Sequence, residues 1–267
     1  MEGVNGKVIF ITGATGVICS EIAKALAKNG AKLILGYHKK PADALLEEIK
    51  GIGSDAIAVN IDVVDGKDVK RAVGTAISAF GRVDALINGA GGNDPKATTS
   101  SEVPFFDLPL EEVKKVFDIN FTGAFICSQA FGRAFAEKKG GVILNISSMS
   151  AIRPMTRVPA YSAAKAALSN FTQWLAVEMA MNYSSNIRVN AIAPGFLLTE
   201  QNRLLLLKEN GDLSERGKRI IEHTPQGRFG EPKDMISTVL WLLSSGSEFV
   251  TGITVPVDGG FSAYAGV

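Results

Sequence analysis

Short runs of β-branched and aliphatic residues alternate along this chain with stretches whose apolar positions recur every three or four residues. Val8 to Thr12, Lys32 to Tyr37, Ala56 to Asn60, Ala85 to Asn88, Val142 to Ser147, Ile187 to Ala193 and Ile253 to Val257 read as strands. Most are apolar throughout rather than alternating, the signature of strands covered on both faces. Between them, Ser20 to Asn29, Ala42 to Lys50, Val69 to Phe80, Glu111 to Glu137, Ala160 to Met181 and Pro232 to Leu243 carry helical spacing. Strand followed by helix, repeated, predicts an α/β fold: a seven-stranded parallel sheet, doubly wound, with helices on both faces.

No period of self-similarity, low-complexity tract or Pro/Gly/Ser-rich linker divides the chain, so residues 1–267 are expected to form one domain. Phe196 to Arg228 is the long interruption. It is polar and mixed, lies between the sixth strand and the last helix, and predicts a lid over a substrate.

Composition narrows the partners. Lys and Arg total 28 against 27 Asp and Glu, a net charge of +1 that offers no basic field for nucleic acid and no polybasic membrane patch. No apolar run approaches a membrane span, and the opening MEGVNGKVIFITG lacks the pattern of a secretory leader, so a cytoplasmic location is expected. Cys19 and Cys127 stand far apart and read as reduced structural thiols. Neither histidine has a second imidazole or a carboxylate cluster at ligand spacing, so no metal is expected.

The candidate chemistry lies where strands end. The first strand runs into Thr12-Gly13-Ala14-Thr15-Gly16-Val17-Ile18-Cys19 and then a helix, so backbone amides can meet a pyrophosphate. Tyr161 and Lys165 stand four apart on a helix and share a face. A phenol with a pKa near ~10 is a poor proton shuttle at neutral pH, and a neighbouring ammonium should draw it toward the working range. Asn88-Gly89-Ala90-Gly91 closes the fourth strand, Asn145-Ile146-Ser147-Ser148 the fifth and Pro194-Gly195 the sixth, with Asn120 on a helix between. All these strand ends fall at the carboxyl edge of the sheet, where open α/β folds bind ligands.

In this order the motifs, with Val255-Pro256-Val257-Asp258-Gly259-Gly260 at the close, resemble the short-chain dehydrogenase/reductase family over nearly the whole chain. The resemblance implies a Rossmann-type fold, a nicotinamide cofactor and a tetrad: Asn120 holding a relay water, Ser148 orienting the substrate, Tyr161 as acid/base, and Lys165 tuning Tyr161 and binding the nicotinamide ribose. Ser148 is chosen over Ser147 because the family places its serine thirteen residues before the tyrosine. The resemblance further implies contacts to the dinucleotide from Gly13, Thr15, Gly16, Val17, Ile18, Asp62, Val63, Asn88, Ala90, Pro194, Gly195 and Thr199, and a homotetramer with the long helices between subunits. Without it, Asp62 would read as a helix cap.

One departure is informative. Val17-Ile18-Cys19 stands where the family's turn ends in Gly-x-Gly, a variant similar to one branch, the D-mannonate oxidoreductases or fructuronate reductases. Gly92-Asn93-Asp94-Pro95-Lys96, Phe171 to Ala176, Pro194 to Arg203, and His223-Thr224-Pro225 extend that likeness. It implies D-fructuronate/D-mannonate interconversion, with a gluconate-type polyol or another uronate or ketone as the alternative substrate. A non-catalytic dinucleotide sensor is the rival outside enzymes. A sugar acid needs a cation and hydroxyl partners, for which Arg153, Lys96, Asn93, Gln201, Arg203 and His223 are candidates.

The dinucleotide is read from the second strand's end. NAD enzymes of this fold usually place an acid about 20 positions beyond the glycine turn. Here Tyr37, His38, Lys39 and Lys40 stand there, which favours the 2′-phosphate of NADP over NAD.

Overall fold

The computed structural model describes residues 3–199 and 202–266. Seven strands among them, β1 (Val8–Thr12), β2 (Lys32–Tyr37), β3 (Ala56–Asn60), β4 (Ala85–Asn88), β5 (Gly141–Ile146), β6 (Ile187–Pro194) and β7 (Thr254–Val257), form one sheet in the order β3-β2-β1-β4-β5-β6-β7. Every pairing is parallel. The doubly wound sheet expected from the alternation is therefore present. Its strand order reverses between β1 and β4, so connections leave in opposite directions there and open a crevice at the carboxyl edge.

Alternate side chains of each strand serve opposite cores. Ile9, Ile11, Leu33, Leu35, Ile87 and Leu144 pack on one face under α1 (Val17–Lys28), α2 (Asp43–Gly51) and α9 (Ile236–Leu243). Phe10, Ile34, Leu86 and Ile143 pack on the other under α3 (Gly66–Phe80), α5 (Gly123–Glu137) and α6 (Pro159–Asn182). The rings of Phe10 and Phe131, both fully buried, meet at 4.7 Å. Each such side chain stabilises the fold by about 1.5–3 kcal/mol through burial. The buried Arg188 of β6 donates to the carbonyls of Leu242 (2.9 Å) and Ser244 (3.2 Å), giving the C-terminus of α9 partners it would otherwise lack.

The expected single helix from Glu111 to Glu137 is instead three pieces: α4 (Leu110–Phe117), a π turn (Asp118–Thr122) and α5. Apolar periodicity runs through all three, which is why the sequence reads as continuous. The wider turn rotates Asn120 inward, where its Nδ2 donates to the Val116 carbonyl at 2.7 Å and to the Gly92 carbonyl at 2.6 Å. Between β6 and α9 the described residues include the short α-helices α7 (Arg203–Leu206) and α8 (Glu215–Glu222). Among the described residues no helix is long and apolar enough to cross a membrane.

Candidate active site

The glycine turn after β1 is stitched to the loop after β4. The Thr12 hydroxyl accepts from the backbone N–H groups of Gly89 (3.0 Å) and Ala90 (3.1 Å). Gly13 adopts φ +64°, and a β-carbon there would lie 2.8 Å from Ala90 Cα. Only glycine lets these two loops approach so closely. Gly16 precedes α1, whose first turn has neither a capping side chain nor an acid, so the amides at its start are open to an anion. This uncapped, glycine-lined start fits the pyrophosphate of a dinucleotide.

The departure at Val17-Ile18-Cys19 is absorbed locally. The Cys19 side chain is buried against Gly89, where an added β-carbon would come within 2.2 Å of Sγ. Burial pushes the thiol up to about 12, so it stays neutral and serves packing. Thr15 donates to the Lys40 carbonyl at 3.4 Å, tethering the turn to the loop after β2.

A cleft of about 510 Å³ opens along this seam, lined by Gly16, Val17, Ile18, Gly91, Asn93, Ser148, Tyr161, Lys165, Pro194, Gly195 and Thr199 among others. The Tyr161 hydroxyl shares a hydrogen bond with the Ser148 hydroxyl. The Ser147 hydroxyl is engaged with the Lys165 carbonyl (3.2 Å) and the Ser169 hydroxyl (2.7 Å). Lys165 Nζ donates to the Ile146 carbonyl at 2.7 Å and lies 5.7 Å from the centre of the Tyr161 ring. Asn120 Oδ1 accepts from Gly92 N–H at 3.0 Å. A β-carbon on Gly91 would lie 2.6 Å from Asn120 Oδ1 and 3.2 Å from Lys165 Nζ, so the loop after β4, the π turn and α6 converge at this point.

Electrostatics differ from the simple expectation for a Tyr–Lys pair. Burial dominates both groups: it pushes the Tyr161 phenol up, opposed by the Ser148 hydrogen bond, and brings Lys165 down to about 8. The ammonium expected to lower the phenol is itself disfavoured by the same dry wall.

Other sequence candidates scatter. Asn88 turns its amide beneath the sheet, donating to Asn145 Oδ1 (2.8 Å) and the Ser128 hydroxyl (3.0 Å), rather than into the cleft. Ala90 backs the glycine turn. Asp62 accepts from Val64 N–H at 3.1 Å, while Val63 is buried against Gly123. The cap of α3 is Asp65, not Asp62. Tyr37 ends β2 partly buried, and His38, Lys39 and Lys40 are exposed. Thr199 N–H donates to Asn202 Oδ1 at 2.8 Å.

Of the substrate candidates, Asn93 lines the cleft and donates to the Thr98 hydroxyl at 2.8 Å. Arg153 is exposed and donates instead to the Ser262 carbonyl at 3.2 Å. Lys96 and Arg203 are exposed and do not line the cleft, and His223 lines a neighbouring cavity. Gln201 lies outside the described residues. Asn202 and Arg216, which sequence reasoning passed over, do line the cleft. A basic residue inside the segment 196–228 was the available signal for Arg216, but several compete there.

Comparison with known proteins adds the following. Residues 13–262 match the family model described as enoyl-(acyl carrier protein) reductase. The uncharacterized oxidoreductase UxuB of Bacillus subtilis (strain 168) is 49% identical over 276 residues, which span 100% of this chain and 98% of the relative. The 2-dehydro-3-deoxy-D-gluconate 5-dehydrogenase of Dickeya dadantii (strain 3937) is 32% identical, with 97% of each chain covered. Among solved structures, a proposed D-mannonate oxidoreductase from Haemophilus influenza with bound NAD has a TM-score of 0.93 at 43% identity, covering 100% of this chain and 98% of that one.

Proposed function

Because the chain belongs to the short-chain dehydrogenase/reductase family of nicotinamide-dependent oxidoreductases, we propose that it interconverts a keto sugar acid and its hydroxy acid, D-fructuronate and D-mannonate. The observation that carries this reading is the convergence of Asn120, Ser148, Tyr161 and Lys165 around one glycine-lined cleft. Whole-length likeness to the Haemophilus protein supports the choice of substrate.

A nicotinamide dinucleotide bound along the seam supplies the hydride. The chain's residues manage the proton and the oxygen. Tyr161, kept protonated by burial, donates to the carbonyl oxygen as negative charge develops there, and Ser148 offers a hydrogen bond to the same oxygen. Lys165, fixed by the Ile146 carbonyl, stabilises the phenolate left behind. Asn120 holds the Gly91–Gly92 loop with two hydrogen bonds and the Val116 carbonyl with a third, and the second lone pair of Oδ1 remains for a relay water. The segment 196–228 acts as the lid, with Asn202 fixing Thr199 through its backbone.

On the chain's side the preferred dinucleotide is NADP. Exposed His38, Lys39 and Lys40 follow β2 with no carboxylate among them to repel a 2′-phosphate. The Haemophilus protein carries NAD, so NADH forms the parallel arm of the test. The working location is the cytoplasm, where a diffusible nicotinamide pool is available. The assembly is a homotetramer, supported by the exposed Trp174, Val177 and Met181 on α6.

The test is steady-state oxidation of NADPH and NADH with D-fructuronate and a panel of keto acids and ketones. Rapid turnover of D-fructuronate, abolished in Tyr161→Phe with dinucleotide binding retained, is the expected result. Activity confined to other ketones would discard the sugar-acid reading, and substantial turnover by Tyr161→Phe would discard the proton donor. The Dickeya relative favours one second reading, oxidation of a different hexonate such as a gluconate derivative; the same panel separates it. Dinucleotide binding without any turnover would point to a sensor.

A further inference from the structure

The cleft contains a cation that the proton-transfer residues leave unused. Arg216, in the first turn of α8, lines the cleft together with Tyr161 and Ser148. It also lines a neighbouring cavity of about 470 Å³ together with Arg157 and Arg219, so its side chain stands at the boundary between the two. The residue is partly buried, and among the described residues no hydrogen bond or ion pair engages it. Glu215, next to it, is committed to Lys218 at 3.1 Å. Burial, reinforced by a second cation, Arg157, holds the Arg216 guanidinium below the usual range. A partly desolvated guanidinium facing another cation is the complement of an anion, because a carboxylate relieves both the lost hydration and the repulsion.

Both arginines are held in place by their backbones. Ser214 N–H donates to the Leu206 carbonyl (2.9 Å) and its hydroxyl to the Leu205 carbonyl (2.8 Å), closing α8 onto α7. Gly217 completes the contact, since a β-carbon there would lie 2.2 Å from the Leu206 oxygen. Leu206 and Ile220 are buried beneath. Arg157 has φ +72°, a left-handed conformation costly for a side-chain-bearing residue, and its carbonyl accepts from Thr99 N–H at 2.9 Å. This turn stands four residues before Tyr161, so the chain that carries the proton donor also carries the second cation.

We propose that Arg216 binds the substrate's carboxylate, making the cleft selective for hydroxy and keto acids over uncharged sugars, with Arg157 adding positive potential at the entrance. This assignment rests on the sugar-acid reading above. Guanidinium offers paired donors that match the two carboxylate oxygens, whereas an ammonium would supply the charge without the fork.

The experiment compares wild type, Arg216→Gln and Arg216→Lys on D-fructuronate and on D-fructose, which has a hydroxymethyl group in place of the carboxylate. Calorimetric titration with D-mannonate gives a readout independent of turnover, and dinucleotide affinity and melting temperature report whether each variant is folded. Arg216→Gln is expected to raise KM for D-fructuronate about 10- to 100-fold, weaken D-mannonate binding in parallel and lower kcat/KM on D-fructose far less. Arg216→Lys should recover part of the loss. Unchanged KM and D-mannonate affinity in Arg216→Gln, or equal losses on charged and uncharged substrates, would overturn the assignment. With D-fructuronate turned over rapidly by wild type, that result leaves the sugar-acid reading standing. A wild type active on uncharged ketones and silent on every sugar acid would remove both.

Discussion

Tyr161 and Lys165 share one buried wall of the cleft, and burial acts on them in opposite directions: it favours the neutral phenol and disfavours the ammonium. For Lys165 this has a consequence for stability. Its value in the folded protein, about 8, lies below the ordinary 10.5. Between those values the unfolded chain holds more protons than the folded one, so this residue's contribution to stability rises with pH across that window. Below it, the cost of the buried ammonium is present in full. The melting temperature of wild type relative to Lys165→Met should therefore climb from pH 7.5 to pH 10, by on the order of 5 °C, measured by paired thermal melts in matched buffers. A difference that stays flat would mean that the amine titrates as it does in water.

At the level of elements, the sheet is joined to its helices by a buried polar chain as well as by apolar packing. Ser128 of α5, Asn88 of β4, Asn145 of β5 and Thr172 of α6 form consecutive hydrogen bonds, the Asn145 to Thr172 link at 2.8 Å. The two asparagines are paired side by side in the β4–β5 register. Asn145→Ala should strand the Asn88 amide and remove the acceptor-donor link to Thr172, costing about 2–3 kcal/mol in chemical denaturation. A loss below about 0.5 kcal/mol would show that water or rearrangement replaces the link. Asn88 looks like a cofactor residue in the sequence because it closes a strand at the right edge. Its side-chain amide also fastens β4 to β5 and α5, a role about which one-dimensional spacing carries no information.

At the scale of the molecule, α6 presents Trp174, Val177 and Met181 on one exposed stripe, with the Trp174 ring stacked on Phe171 at 6.1 Å. A stripe of this size on a long helix needs covering, and a second copy of the chain is the occupant implied by the proposed tetramer. Light scattering coupled to size exclusion should give four chains per particle, and Trp174→Glu combined with Val177→Glu should give smaller particles with the same far-UV spectrum. A monomeric wild type would remove the proposal.

The sequence alone determined the sheet, because parallel strands buried on both faces must be nearly all apolar and their intervening helices must be amphipathic. It also marked the strand ends, since polar and glycine residues interrupt apolar runs only where backbone leaves the core. Tertiary packing decided the rest. The π turn that rotates Asn120 inward and the accommodation of Cys19 against Gly89 depend on contacts between distant segments. The same holds for the cation in the cleft. Arg153, Lys96, Arg203 and Arg216 are equivalent as basic letters in separate polar segments of the sequence, and the seating of α8 on α7 brings the last of them to the wall that Tyr161 shares.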